Sequence, residues 1–208
     1  MPRRPGVTPA GDQRRTQILS QAEDLINQDG FHDMTMDGIA ESIGIAKSTL
    51  YHYFRSKEDI LFTIHETTMG EAVSRHAARI EAGEPPLRVL EGSLHDMMEI
   101  IALRPGRAHV LYERNRSQSA EQEAVMKSSE RAYEDRIAAT VRAAIERAEC
   151  EDIDPYLVAR AMIGMASHSR FWFHGGGRLG HEELAATFWR ILRHGTAPGS
   201  PTQGATGQ

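Results

Sequence analysis

Apolar residues recur at Ile39, Ala40, Ile43, Ile45, Leu50 and Phe54, with Gly44 in their midst. The spacing on each side is helical, and a glycine between can take the positive φ of a tight turn, so two short helices joined at Gly44 are predicted. Helices of two turns are marginal alone and must bury their apolar sides against a third element. The stretch from Asp12 to Asn27 supplies it, with Ile18, Ala22, Leu25 and Ile26 on one face and Gly30 as the C-terminal stop. Thr35 can cap the second helix, and the third runs from about Ala46 to Phe54. Three helices in this order describe a helix-turn-helix unit. Its core leaves Lys47, Ser48, Thr49, Tyr51 and His52 on the outside. Short hydroxyl and cationic side chains at the start of a helix can reach phosphates and base edges when that helix lies in a major groove. The competing reading is a solvated face of a surface helix.

The rest of the chain is also helical in pattern, with no period-2 run bounded by turn residues, so the fold class is all-α, with about nine helices. Ser56 followed by "KEDI" caps a fourth helix through Ile60, Ile64, Ala72, Val73, His76 and Ile80, which "EAGEPP" ends. Helices follow over Leu87 to Leu103 and, after a Pro105-Gly106 break, through Val110, Leu111 and Tyr112. A long one from about Ser119 to Glu149 places Val125, Ile137, Val141, Ile145 and Ala148 on one face. Asp154 and Pro155 read as N-cap and first residue of the next, which carries Val158, Met162, Met165 and Trp172. "GGGRLG" precedes a last helix from His181 to about Arg193 with the stripe Leu184, Phe188, Ile191 and Leu192. The expected organisation is a disordered basic arm over 1–11, a helix-turn-helix domain over 12–57, a helical domain over 58–195 and a disordered tail over 196–208.

Hydrophobic residues make up 40% and charged residues 25% of 208, and no apolar run nears the ~18 residues a membrane span needs. With Cys150 the only cysteine, no intramolecular disulfide can form, and a cytoplasmic location is expected. A net charge of −5 argues against non-specific coating of nucleic acid while leaving local contact open. The cluster Arg3, Arg4, Arg14 and Arg15 suits an arm along a minor groove or an unstructured leader.

From Ile18 to Leu61 the sequence resembles the DNA-binding domain of the TetR family of bacterial transcriptional regulators. The Gly-Phe after helix one, the Ile-Ala, the glycine turn and "TLYHYFRSKEDIL" occur in the family's order. The resemblance implies a ligand-responsive regulator, usually a repressor, that binds a near-palindromic double-stranded operator as a homodimer. By position it implies that Thr35, Tyr51, His52 and Lys57 grip the phosphate backbone and that Lys47, Ser48 and Thr49 read base edges. Asp37 and Gly38 depart from the family pattern, as does Met34 in place of a common threonine. Asp37 would repel phosphate, though it could accept a bond from a cytosine amino group. The fourth helix, starting at Lys57 and running toward the C-terminal domain, would couple a small-molecule effector to DNA affinity.

The tract over 169–192 resembles a TetR subgroup that answers to acyl-coenzyme A thioesters of steroid and fatty-acid catabolism, with Gly175 where proline is common. Tyr112, Arg116, Arg170, Trp172 and Phe173 are the ligand-binding candidates on that resemblance; the simpler reading of the aromatics is core and interface. No cofactor is implied beyond such an effector. The family's dimers form through the last two helices, which points to Ala159, Gly164, Ala166, Leu184, Phe188 and Ile191.

The ten histidines lack metal-ligand spacing, and His95 with Glu99, or His168, His174 and His181 near the glycine loop, read as ordinary histidines. No GxSxG elbow, Walker loop or dinucleotide fingerprint marks an enzyme, and the acidic setting of Cys150 disfavours a thiolate nucleophile. The alternative to a regulator is a helical protein-interaction module that has lost DNA binding.

Overall fold

The computed structural model describes residues 9–112, 118–173 and 177–195. Among these residues the chain forms nine helices: α1 (Pro9–Asp33), α2 (Met36–Ser42), α3 (Lys47–Tyr53), α4 (Lys57–Glu81), α5 (Pro86–Leu103), α6 (Pro105–Tyr112), α7 (Ala120–Glu146), α8 (Pro155–Ser169) and α9 (His181–Gly195). The all-α expectation holds among the described residues. Two compact units divide the chain, Met1–Thr68 with Arg104–Lys127, and Met69–Leu103 with Ser128–Gln208.

The first unit is built on Ile18, Ala22, Ile26, Phe31, Met34, Ile39, Leu50, Phe54, Ile60, Leu61 and Ile64, joined by Val110 of α6. α1 starts at Pro9, earlier than the expected Asp12, and leaves helical geometry at Gly30 (φ 80°, ψ 164°). Helix α6 begins at Pro105 itself, so the break lies one residue earlier than the sequence suggests. It lies close on α1: a Cβ at Gly106 would stand 2.7 Å from the Glu23 carbonyl carbon, so only glycine fits. Arg107 Nε donates to Glu23 Oε1 at 2.7 Å beside that contact. Burial raises the Glu23 carboxyl above the ordinary range, with Arg107 pulling the other way.

In the second unit α5 packs against α8 and α9. Val89, Leu90, Leu94, Met98, Ile137, Val141, Ala159, Met162, Ala166, Leu184 and Ala185 form its core. Asp154 caps α8 as expected, its Oδ1 accepting from Tyr156 N at 2.8 Å. Inside this unit His76 is fully buried, with Nδ1 2.9 Å from Ser93 Oγ and Nε2 3.1 Å from Thr140 Oγ1. Arg79 reaches Asp96 through two bonds of 2.7 and 3.0 Å.

Several stripes run differently from the periodicity. Ile80 is 52% exposed and Val125 40%, because each lies near a helix end that the core does not reach. Ala148 lies beyond α7 at φ 56°, in the turn that ends the helix, and so joins no helical face. Trp172 follows the end of α8 and is 48% exposed, edge-on to Phe188. Among the described residues no helix is long and apolar enough to cross a membrane.

Candidate nucleic-acid interface

The geometry of the turn decides what α3 presents. Gly44 adopts φ +67° and Ile45 N donates to Ala40 O at 3.0 Å, which folds α3 back on α2. Leu50 is then fully buried and Phe54 3% exposed. Burying a leucine completely stabilises by roughly 1.5–3 kcal/mol, enough to hold α3 in one rotation about its axis. With Leu50 and Phe54 inward, Lys47, Ser48, Thr49 and His52 are exposed, and Tyr51 is 50% exposed. The residue types suited to phosphate and base contact thus share the outward surface of a short, rigidly anchored helix.

Thr35 is the N-cap of α2, and its Oγ1 accepts from Gly38 N at 3.0 Å. A hydroxyl that accepts in this way keeps its own hydrogen to donate outward.

Asp37, the departure from the family pattern, meets the recognition candidate directly: Lys47 Nζ donates to Asp37 Oδ2 at 2.5 Å. Both side chains are exposed, and the hydrogen bond that Lys47 donates to Asp37 raises the Lys47 pKa. The carboxylate therefore holds Lys47 on the first turn of α3 while adding a negative charge to the same surface.

Lys57, at the start of α4, is held within its own unit. Its Nζ donates to the carbonyls of Phe31, His32 and Met34 at 3.0, 2.8 and 3.0 Å, and lies 4.7 Å from the centre of the Phe31 ring. The arginines expected in an arm also divide. Arg14 and Arg15 belong to α1, Arg14 donating to Gln17, and Arg15 reaching the Tyr53 carbonyl, Thr63 Oγ1 and the Phe54 ring at 4.3 Å. Arg15 braces the end of α3 from behind. Arg3 and Arg4 lie outside the described residues, as does the tail over 196–208. Arg55, exposed directly after α3, is a basic residue that pattern reading passed over; its signal is charge at the helix C-terminus.

The ligand candidates do not assemble in the described residues. Arg116, Gly175 and the side chain of Tyr112 lie outside them. Arg170 stacks on Phe171 at 4.0 Å, Trp172 faces outward and Phe173 is half-buried. A recess in the second unit is lined instead by Leu87, Leu90, Val141, Cys150, Met162 and Trp189, among others, and is apolar. Of the dimer candidates, Ala159, Ala166 and Leu184 pack inside the unit, since α5 covers that side of α8 and α9. Gly164 and Ile191 are exposed and Phe188 half-buried. Among the described residues no three His, Cys, Asp or Glu side chains gather as a metal site; Glu99 pairs with Arg75 at 2.7 Å.

Comparison with known proteins gives two family matches: "Bacterial regulatory proteins, tetR family" over residues 18–64, and "Tetracyclin repressor-like, C-terminal domain" over 83–196. The chain is 37% identical over 59 residues to the fatty acid metabolism regulator protein of Bacillus subtilis, covering 28% of this chain and 30% of that one. It is 38% identical over 64 residues to the regulator EthR of Mycobacterium tuberculosis, covering 31% and 30%. These matches span about 30% of the relatives' length. Among solved structures, a TetR/AcrR-family regulator from Thermobifida fusca is 29% identical with a TM-score of 0.71, over 88% of this chain and 98% of that one. AibR in complex with isovaleryl coenzyme A and operator DNA shares the fold at 24% identity, TM-score 0.76, over 86% and 97%. The ketosteroid regulator KstR2 of Mycobacterium tuberculosis does so at 21% identity, TM-score 0.79, over 89% and 96%.

Proposed function

Because the chain belongs to the TetR family of bacterial transcriptional regulators, we propose that it is a cytoplasmic repressor that binds a near-palindromic operator as a homodimer and leaves it when a small molecule binds. The observation that carries this reading is the outward surface of α3, where Lys47, Ser48, Thr49, Tyr51 and His52 stand over an inward Leu50 and Phe54. In this reading Lys47, Ser48 and Thr49 meet base edges, while Tyr51, His52 and the hydroxyl of Thr35 meet phosphates.

One such helix reads only a few base pairs. Two copies related by a two-fold axis read half-sites about one turn, ~34 Å, apart. Exposed Leu157, Phe171, Trp172 and Ile191, together with Gly164 on the open side of α8, supply an apolar surface for the second copy. The effector acts by linkage: a ligand that binds better to a dimer with another separation of its α3 helices lowers operator affinity by that difference. α4, which begins beside α3 in sequence and continues unbroken to Glu81, is the element we assign to this coupling. The effector class we infer is an acyl-coenzyme A thioester, supported by the resemblance of the tract over 169–192.

Fluorescence anisotropy with duplex DNA from upstream of the gene, at two salt concentrations, tests the reading. Tight binding that weakens with salt and is reversed by an acyl-coenzyme A is expected. Salt-insensitive or absent binding, there and in selection from genomic DNA, would favour a protein-interaction module instead.

A further inference from the structure

We propose that Gln122, in the first turn of α7, is a positioning residue for the DNA-reading surface, acting through Asp59 to hold the turn that joins α3 to α4. Both α4 and α7 open on a serine with a carboxylate or an amide three residues later. At α4 Asp59 N donates to Ser56 Oγ at 3.3 Å, and at α7 Gln122 N donates to Ser119 Oγ at 3.1 Å. In such pairs the later side chain reaches back to a backbone N–H at the start of its own helix. Both do so here: Asp59 Oδ2 accepts from Arg55 N at 3.3 Å, and Gln122 Oε1 from Ser119 N at 3.4 Å. Each side chain then has one polar end left, and the two ends meet. Gln122 Nε2 donates to Asp59 Oδ1 at 3.0 Å, across 63 positions of sequence. The caps of α4 and α7 are thereby joined in one hydrogen-bonded chain that runs from Ser119 to Arg55.

What this chain of bonds holds is the end of α3. That helix closes with Phe54 N on Leu50 O at 3.0 Å, and Arg55 carries the next backbone donor. Leu50 and Phe54, both buried, set which side chains α3 turns outward, so a bond at Arg55 bears directly on that rotation. Left to itself the Asp59 carboxylate could turn about its own side-chain bonds; Gln122 fixes it from outside. Both side chains are half-buried, and a hydrogen bond to an ionised acceptor in such a setting is stronger than one between neutral, exposed groups. The start of α7 is also anchored one turn further on, where Met126 packs against the core that contains Phe54 and Ile60. Gln122 and Asp59 both belong to the first unit.

The effect on DNA rests on the regulator reading, while the joint itself is testable without DNA. The full-length chain is compared with three variants. Gln122→Met keeps length and neutrality and removes the donor. Gln122→Glu keeps an acceptor for the cap of α7 but sets a carboxylate against Asp59. Gln122→Glu combined with Asp59→Asn restores the bond with its polarity reversed, at the wild-type net charge. Each is melted thermally and then titrated, well below its melting transition, with a duplex that the wild-type protein selects from a randomised pool. Gln122→Met should bind about three- to tenfold more weakly, with an unchanged slope of log affinity against log salt because no phosphate contact is lost. Gln122→Glu should bind more weakly still, and the double variant should return to within about twofold of wild type. Amide exchange at Arg55 should quicken in both single variants and slow again in the double. Wild-type affinity in Gln122→Met overturns the proposal, whether or not that variant melts lower, since a lower melting temperature alone marks a merely structural residue. A double variant that binds no more tightly than Gln122→Glu overturns it too. If the wild-type protein selects no duplex, the regulator reading fails by itself. Exchange at Arg55 then decides the joint: faster exchange in Gln122→Met sustains it, and unchanged exchange overturns it.

Discussion

Gly106→Ala tests whether α6 is seated on α1 backbone against backbone. The added Cβ would stand 2.7 Å from the carbonyl carbon of Glu23 and 3.0 Å from its Cα, and closer still to the carbonyl oxygen. Non-bonded carbons settle at about 3.5–4.0 Å, so the two helices must part by roughly 1 Å. Alanine gains up to about 1 kcal/mol over glycine from helix propensity, less in the first turn where residue 106 lies. Against that, overpacking a closed interface costs about 1–3 kcal/mol and sometimes more. Parting also lengthens the 2.7 Å bond from Arg107 to a carboxylate that is already poorly solvated, and loosens Val110 from the core it shares with Ile18 and Ala22. The net expectation is a loss of about 2–4 kcal/mol. Urea unfolding followed by circular dichroism reads it as a lower midpoint with an unchanged slope. Gly70→Ala is the control, because it is helical and exposed and a Cβ there meets nothing within 4 Å; it should stabilise by about 0.5–1 kcal/mol. A Gly106→Ala protein as stable as wild type would refute the packing argument.

Further perturbations probe other parts of the molecule. Burial, with Arg136 and Arg79 nearby, holds the His76 imidazole below its ordinary pKa while Asp96 opposes. The unfolded chain therefore takes up the proton first, so this residue's contribution is intact above about pH 6.5 and is lost as pH falls from there toward the folded pKa. Denaturation at stepped pH should show a steeper acid slope in wild type than in His76→Gln, by at most ~1.4 kcal/mol per pH unit; equal slopes would contradict it. Asp154→Ala should cost about 1 kcal/mol through the lost cap of α8, read from thermal melting. Gly164→Ala should raise the protomer's stability by about 0.5–1 kcal/mol, yet weaken self-association in sedimentation if a second copy packs on α8; unaltered association would place the contact elsewhere. Asp37→Asn removes a carboxylate from the α3 surface and releases Lys47, so DNA affinity should rise and its salt dependence steepen in anisotropy titrations; weaker binding would mean that Asp37 itself accepts from a base.

Local signals in the sequence carried much of this. Caps at Thr35, Ser56 and Asp154 and the turn at Gly44 depend on neighbours within a few residues, and all appear in the structure as read. The outward set on α3 was legible for the same reason, since Leu50 and Phe54 fix its rotation. Contacts across long separations were not. Nothing in helical periodicity says that Gly106 and Arg107 meet Glu23, or that Lys57 has backbone carbonyls 23 to 26 positions earlier as partners. Periodicity also over-extended the core faces to Ile80 and Val125, where helices outrun the elements that would cover them.

The packing of α6 on α1 has a consequence for how such a protein could be recombined. The unit that displays α3 is assembled from two stretches of chain, Met1–Thr68 and Arg104–Lys127. A gene fusion cut after residue 68 would deliver the helix-turn-helix without the segment that seats against Glu23, and Val110 would be missing from its core. Exchange of operator specificity between relatives therefore requires transplanting both stretches, or a donor whose α6 already carries glycine and arginine at the matching positions. On the proposed function, the heritable module for DNA recognition would be discontinuous, although the residues expected to touch DNA are not.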